Sequence, residues 1–228
     1  VLTLALGMGA TVSMFSVVNG GLLNPLPYPD SDDLVVVWNR NVGMGSHGRS
    51  IDHPDIRAVQ AAVPGFTVAG YSGSRPTLTG FGDPQVLFGA RVIDGLIGLM
   101  GLQPALGRDL DAGDDVAGGP NVVVISHEFW VERMARDPDV LGRTIELSAQ
   151  SWEIVGVAPQ SFDFPGGAEV WMPRQHDIDG CDHGCSILNA VGRIAPDRSF
   201  EEISAGLASV SASIEEQYPD EHHNNQLK

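Results

Sequence analysis

The sequence predicts an α+β protein: a split β-α-β unit whose two halves flank an inserted β-rich subdomain, with one transmembrane helix in front. Three observations carry this expectation. The first 23 residues contain no charged side chain. Behind them, apolar runs follow the order strand, helix, strand, then a mostly β middle, then strand and helix with no closing strand. Near the end, an amphipathic helix opens on a capping-box signature.

The opening stretch, VLTLALGMGATVSMFSVVNGGLL, has only mild polar members: Thr3, Thr11, Ser13, Ser16 and Asn19. About 20 apolar residues suffice to cross a hydrocarbon core of roughly 30 Å. Gly7, Gly9, Ala10, Gly20 and Gly21 weaken a helix in water but let helices approach closely in lipid. Residues 1–23 therefore read as a span packed against other membrane helices. The alternatives are a buried helix of a soluble domain and a secretory signal peptide. The latter is disfavoured because the run exceeds the usual apolar region of about 7–15 residues and lacks a basic flank. The sequence opens at Val1, which reads as a fragment beginning inside a larger reading frame.

Residues 24–33 hold Pro25, Pro27 and Pro29 at alternate positions, which stops any helix and predicts a stiff, extended exit linker. Residues 34–38 (LVVVW) read as a buried strand, and 41–50 as a Gly-rich loop. Asp52 or His53 can cap a helix with Pro54 in its first turn, and Ile56, Val59 and Val63 form its apolar stripe. Strands follow at 66–71, 77–79 and 85–92, then an apolar stretch at 96–106 and an acidic, solvated turn at 107–115. Residues 121–126 (NVVVIS) are a buried strand, with Ser126 capping a short helix at 127–134. A hairpin joins 144–147 to 152–157, and 170–172 is one more strand. After a polar loop at 177–185, residues 187–194 return to strand. Ser199 with Glu202 then opens a helix whose Ile203, Leu207, Val210 and Ile214 recur on one face. Tyr218-Pro219 ends it, and residues 219–228 read as frayed or truncated.

Charge limits the partners. Twenty-nine acidic residues against 13 basic ones leave a formal charge of −16, and Lys228 is the only lysine. That balance excludes nucleic acid as a partner, since its binding concentrates positive charge, and also docking on anionic headgroups. No Lys or Arg precedes Arg40, so the segment behind the span lacks a cytoplasmic basic flank. The chain after about residue 24 is accordingly expected in the periplasm or cell exterior, with residues 1–23 in the bacterial inner membrane.

The common catalytic patterns are missing. A P-loop needs a lysine that this chain lacks in position. Gly70-Tyr71-Ser72-Gly73-Ser74 has Ser where the nucleophile elbow wants Gly. His127-Glu128 opens like a zincin, but Val131 stands where the second His belongs. Asp109, Asp111, Asp114 and Asp115 lack the spacing of a calcium loop. No catalytic residue and no cofactor is assigned. The one ligand-rich cluster surrounds Cys181, His183 and Cys185, with Asp177, Asp179 and Asp182 beside them. A Cys181–Cys185 disulfide in an oxidising compartment is the favoured reading, two free thiols the second, and a soft divalent metal on Cys181, His183 and Cys185 the third. His222-His223 is the only reserve of further ligands. His47, His53, His127 and His176 read as surface or capping residues.

Several stretches resemble a known family: residues 7–23 running into Pro25-Leu26-Pro27-Tyr28-Pro29; Gly89-Ala90-Arg91-Val92; and Leu102-Gln103-Pro104-Ala105-Leu106-Gly107-Arg108. Residues 122–126 with Trp130, Asp137-Pro138 with Leu141-Gly142-Arg143-Thr144-Ile145, and residues 152–159 continue the succession. In order and spacing it resembles the MacB-like periplasmic core domain of FtsX-type ABC transporter permeases, nearest to the duplicated permeases of acidobacteria. The resemblance implies a porter-like β-α-β subdomain split into residues 34–74 and 186–218, with the β-rich insert at 75–185 between them. It implies a non-catalytic extracytoplasmic domain and a cytoplasmic ABC ATPase as partner. A second permease copy and a periplasmic adaptor or substrate complete the expected partners, and further membrane spans are expected behind Lys228. The Cys181–Cys185 loop is a departure from the family. A membrane-anchored metal- or redox-responsive binding domain is the competing reading.

Overall fold

In the computed structural model, residues 26–41, 46–47, 50–175, 188–219 and 225–227 are described. The exit linker ends in a single 3-10 turn, Ser31–Asp33, before β1 (Leu34–Val37). The short strands β2 (Asn39–Asn41) and β3 (Ser46–His47) occupy part of the expected Gly-rich loop. Helix α1 (His53–Ala62) has Asp52 at its N-cap position and Pro54 in its first turn, as its sequence predicts. Strands β4 (Phe66–Ser74), β5 (Thr77–Thr79), β6 (Gln85–Val86) and β7 (Gly89–Ile93) follow, then one turn of helix, α2 (Leu96–Leu99), and β8 (Leu106–Gly107). Strand β9 (Val122–Ile125) leads into α3 (His127–Arg133), where Ser126 Oγ accepts the Phe129 amide at 3.0 Å. The remaining elements are β10 (Thr144–Leu147), β11 (Gln150–Val157), β12 (Val170–Pro173), β13 (Asn189–Ile194), α4 (Phe200–Gln217) and β14 (Asn225–Leu227).

Among the described residues one large sheet runs in the order β1-β13-β4-β7-β12-β9-β11-β10-β5-β6, with β8 on β11. Strand β13 returns late in the chain and inserts antiparallel between β1 and β4. The sheet is mixed: β12 runs parallel to β7, and β9 parallel to β11. The β10–β11 hairpin turns at Ser148 and Ala149 with φ of 51° and 61°. Two positive values match the primed turns whose twist suits a tight hairpin. A bulge at Val155 interrupts the β9–β11 register, and Arg108 O packs so close to the next residue that a Cβ on Gly156 would lie 2.0 Å from it. Only glycine fits there.

Side chains alternate across the strands, as period-2 geometry requires. One face carries a central core of Ala69, Val92, Leu96, Val124, Phe162 and Trp171. The opposite face carries two cores. Under α1 and α4 lie Val37, Phe66, Val68, Ile93 and Leu207; under α3 lie Phe129, Ile145, Trp152, Ile154 and Met172. Between these two, Ser72 and Arg91 face each other across β4 and β7, and Arg174 donates to Ser72 Oγ at 3.1 Å. Arg91 lies with its guanidinium 4.8 Å from the centre of the Trp152 indole.

The α4 prediction holds in full: Ser199 Oγ accepts the Glu202 amide at 3.2 Å, Glu202 accepts the Ser199 amide at 2.9 Å, and Ile203, Leu207, Val210 and Ile214 are buried. Three expectations are corrected. Residues 85–92 are two strands, because Leu87 is buried and its amide bonds Pro76 O at 2.9 Å while the chain crosses from the edge beside β5 to the centre beside β4. Residues 41–50 do not form a featureless loop, since β2 and β3 pair there. The expected frayed end contains β14, which pairs with β2 and puts Leu227 into the core beneath α4. The predicted span at 1–23 lies outside the described residues. Among the described residues no helix is long and apolar enough to cross a membrane.

Candidate functional site: a buried polar junction on Asp115

The acidic segment 107–115 turns as expected, with the Asp114 amide on Asp111 O at 3.0 Å, but its last two carboxylates are not solvated, which corrects that part of the sequence expectation. Asp114 and Asp115 are buried, because each meets arginine. Arg108 grips Asp114 with both terminal nitrogens, Nη1 to Oδ2 at 2.6 Å and Nη2 to Oδ1 at 2.8 Å. The Asp111 amide adds a third donor at 3.0 Å. Burial alone would raise the Asp114 carboxyl; the Arg108 hydrogen bonds and charge and the Asp111 amide outweigh it and hold it below the usual carboxylate range. The same contact raises Arg108. Neighbouring Asp109 goes the other way: burial raises it, only partly offset by amides such as Gly98 at 3.0 Å and Leu110 at 2.8 Å.

Asp115 gathers three segments. Its Oδ2 accepts from Arg57 Nη2 at 3.1 Å and faces His53 Nε2 at 3.2 Å, both from α1. Its Oδ1 accepts the Gln175 amide at 2.7 Å, just past β12. Arg57 then reaches Asp94 Oδ2 at 3.0 Å, at the exit of β7. Gln60 completes the set, donating to Asp94 at 2.5 Å and to Val68 O on β4 at 2.8 Å. Asp94 and Gln175 both stand at positive φ, 64° and 51°. Non-glycine residues persist there only where surroundings over-determine them, as these hydrogen bonds do. Burial lowers Arg174 next door, partly countered by Asp115. His53, expected at the surface or as a cap, is instead 5% exposed and part of this network.

A second polar clip holds the linker. Arg193 on β13 donates from Nε to Leu99 O at 2.6 Å, from Nη1 to Asp30 O at 2.9 Å and from Nη2 to Pro29 O at 3.1 Å. Tyr28 is buried beside Phe162 in the central core, and burial raises its hydroxyl above the ordinary tyrosine value. The segment expected as a stiff, extended exit is docked on the sheet over its last residues.

The sequence candidates fare unevenly. Cys181, His183 and Cys185, with Asp177, Asp179, Asp182, His176, His222 and His223, lie outside the described residues. His127 packs edge-on against Trp130 at 5.7 Å. Among the described residues no group of three His, Cys, Asp or Glu side chains could hold a metal ion. Sequence reasoning missed the Asp115 junction, whose His53 and Arg57 partners lie 62 and 58 positions away. Arg108, placed directly before the acidic run, signalled only the burial of neighbouring Asp114.

Sheet, docked linker and junction define an α+β domain whose polar side chains are committed to holding its parts together. The profile of the MacB-like periplasmic core domain matches residues 1–210, and the chain belongs to that family. Among solved structures, it is similar to the periplasmic region of MacB from Actinobacillus actinomycetemcomitans, at 16% identity and a TM-score of 0.60, covering 91% of this chain and 92% of that one. It is also similar to the extracellular domain of the ABC-type transporter YknZ from Gram-positive bacteria, at 15% identity and a TM-score of 0.58, covering 86% and 99%. No curated protein matches the chain.

Proposed function

We propose that this chain is the extracytoplasmic domain of an ABC transporter permease and acts without catalysis, passing the work of a cytoplasmic ATPase across the membrane for export or mechanotransmission. The observation that carries this reading is the family match from residue 1 to residue 210, which includes the uncharged opening. In this reading residues 1–23 span the inner membrane and 24–33 lead out of it. Residues 34–74 and 186–218 are the halves of a porter-like unit around the insert at 75–185; the insertion of β13 between β1 and β4 supports that split. The partners are the ATPase, a second permease copy, and a periplasmic adaptor or substrate. Cys181 and Cys185 close their loop as a disulfide.

Motion can be transmitted only through a body that does not yield, and two features supply that stiffness. The Arg193 clip fixes the linker to β13, and the Asp115 junction fixes α1 to the insert. The test uses the complete reading frame in its native membrane. Protease added to spheroplasts, but not to intact cells, should cleave the region after residue 24. Recovery of the chain from the cytosol, or cleavage only in inverted vesicles, overturns the reading. A mass shift on thiol alkylation that requires prior reduction checks the disulfide.

A further inference from the structure

The free edge of β1 is built unlike a protected sheet edge. Among the described residues β13 is the only strand it pairs with; the Leu34 N–H is taken by Ser31 O of the preceding turn, and beyond it the outer side of β1 has no strand partner. The strand LVVV contains none of the charges, prolines or bulges that usually blunt an edge. Beside it α4 runs back along β13, and between them opens an apolar cleft of about 420 Å³. Val35, Val37, Ile203 and Leu207 form its floor, while Trp38 and Phe200 stand at its mouth. Val36 is 59% exposed, Phe200 62% and Trp38 36%. Val36 points to the other face of β1 from Val35 and Val37. The edge therefore offers exposed apolar side chains on both faces, Trp38 and Phe200 at the cleft and Val36 opposite it, and such exposure marks an interaction site.

The rim identifies what fits. Leu34 pairs with Arg193 near the end of β13, and the chain turns from there into Phe200, so the start of β1 and the first turn of α4 share one end of the cleft. That end carries Asp32, Asp33 and Glu201, and none of the three makes an ion pair among the described residues. The whole chain is acidic as well, at −16, so it draws basic partners towards it.

We infer that β1 accepts an extended segment of a partner polypeptide as an added strand. The segment is apolar at alternate positions and carries Lys or Arg at the end that meets Asp32, Asp33 and Glu201. Backbone pairing gives the attachment, the cleft selects one apolar side chain of the incoming strand, and the acidic rim selects its flank. The open edge of β1, four residues long, seats about four residues of an added strand. This goes beyond the transport reading and does not depend on it.

The experiment titrates the full chain with a seven-residue peptide of alternating Val and Thr ending in Lys-Arg, followed by Trp38 emission and by calorimetry. Trp38 lines the cleft, so covering it shifts emission to the blue, and a Trp38→Phe variant removes that signal. Saturable binding is expected. Val36→Lys or Phe200→Asp should weaken it by roughly tenfold or more, as loss of a central anchor does, with thermal unfolding unchanged. A peptide ending in Glu-Glu should bind weaker by a similar factor. Absence of binding, equal binding by Val36→Lys, or equal binding of the Glu-Glu peptide overturns the inference. So does a dimer of the chain that Val36→Lys dissolves and the peptide does not compete with, because the occupant is then a second copy.

Discussion

The two ends of the large sheet treat the same hazard in opposite ways. At one end β6 is two residues long, follows Asp83-Pro84, and stands beside Phe88, over which the Arg75 guanidinium lies at 4.5 Å. Gln85 on that edge is tied to Arg133 at 2.6 Å. Short length, proline and nearby cations are the ordinary protections of an edge. At the other end β1 offers four β-branched or aliphatic residues in a row with an open cleft behind them. Exposure alone does not distinguish the two, because Val86 at 64% is as open as Val36. The difference lies in length and in what stands beside the strand, so an edge left unguarded in one place and guarded in the other marks the first as a contact surface.

The comparison can be broken first at the Asp115 junction, which fixes α1, at the β1 end, to the segments behind β7 and β12. Asp115→Ala takes the shared acceptor from His53, Arg57 and the Gln175 amide, with Arg57 keeping Asp94, and is expected to cost about 3 kcal/mol, measured by denaturant unfolding. The two ends should then lose their common transition, with α1 opening earlier by hydrogen exchange than the strands around Trp152. A smaller loss is expected within the β1 end itself. A Cβ on Gly192 would fall 2.1 Å from the Phe66 ring, so Gly192→Ala overpacks this core by about 1–3 kcal/mol, with the effect confined to that side.

Acid sharpens the contrast further. The folded Asp114 carboxyl lies below its unfolded value, so its contribution is fully present above the unfolded value and is lost as pH falls through the folded one. Asp114→Asn should lower the neutral plateau and flatten the acid limb, with the smallest change in stability at the acid end, below about pH 4. Asp109, raised by burial, works the other way, since its ionised form is the disfavoured one above the ordinary carboxylate range. The smallest expected effect is at the edges. Val36→Lys and Val86→Lys should each stay within about 0.5 kcal/mol of the parent in stability. Only the former should weaken peptide binding, by roughly tenfold or more, and equal effects from both would erase the difference between the ends.

What the sequence disclosed follows the range of each interaction. The capping box of α4, the Ser126 cap and the β10–β11 hairpin are settled by residues three or four apart, and each was legible. Strand β14 was not: three polar-to-apolar residues have no periodicity of their own, and their place is set by pairing with β2 far upstream. The β6–β7 break was equally hidden, because the change of partner happens in space while the apolar run QVLFGARV continues unbroken. The junction was the least legible feature. An acidic run reads as solvated until Arg57 and His53 are brought to it from 58 and 62 positions away, and local charge counting cannot supply them. The family resemblance reached the fold by another route, through many short matches in order.

The Arg193 clip has one further consequence. A tether with prolines at alternate positions is stiff along its length yet still free to swivel at its end. With Pro29 and Asp30 clasped by a strand in the interior of the sheet, and Tyr28 sunk beside Phe162, the tether becomes a handle. In the transport reading proposed above, torque applied ahead of residue 28 would pass to the strands through this grip.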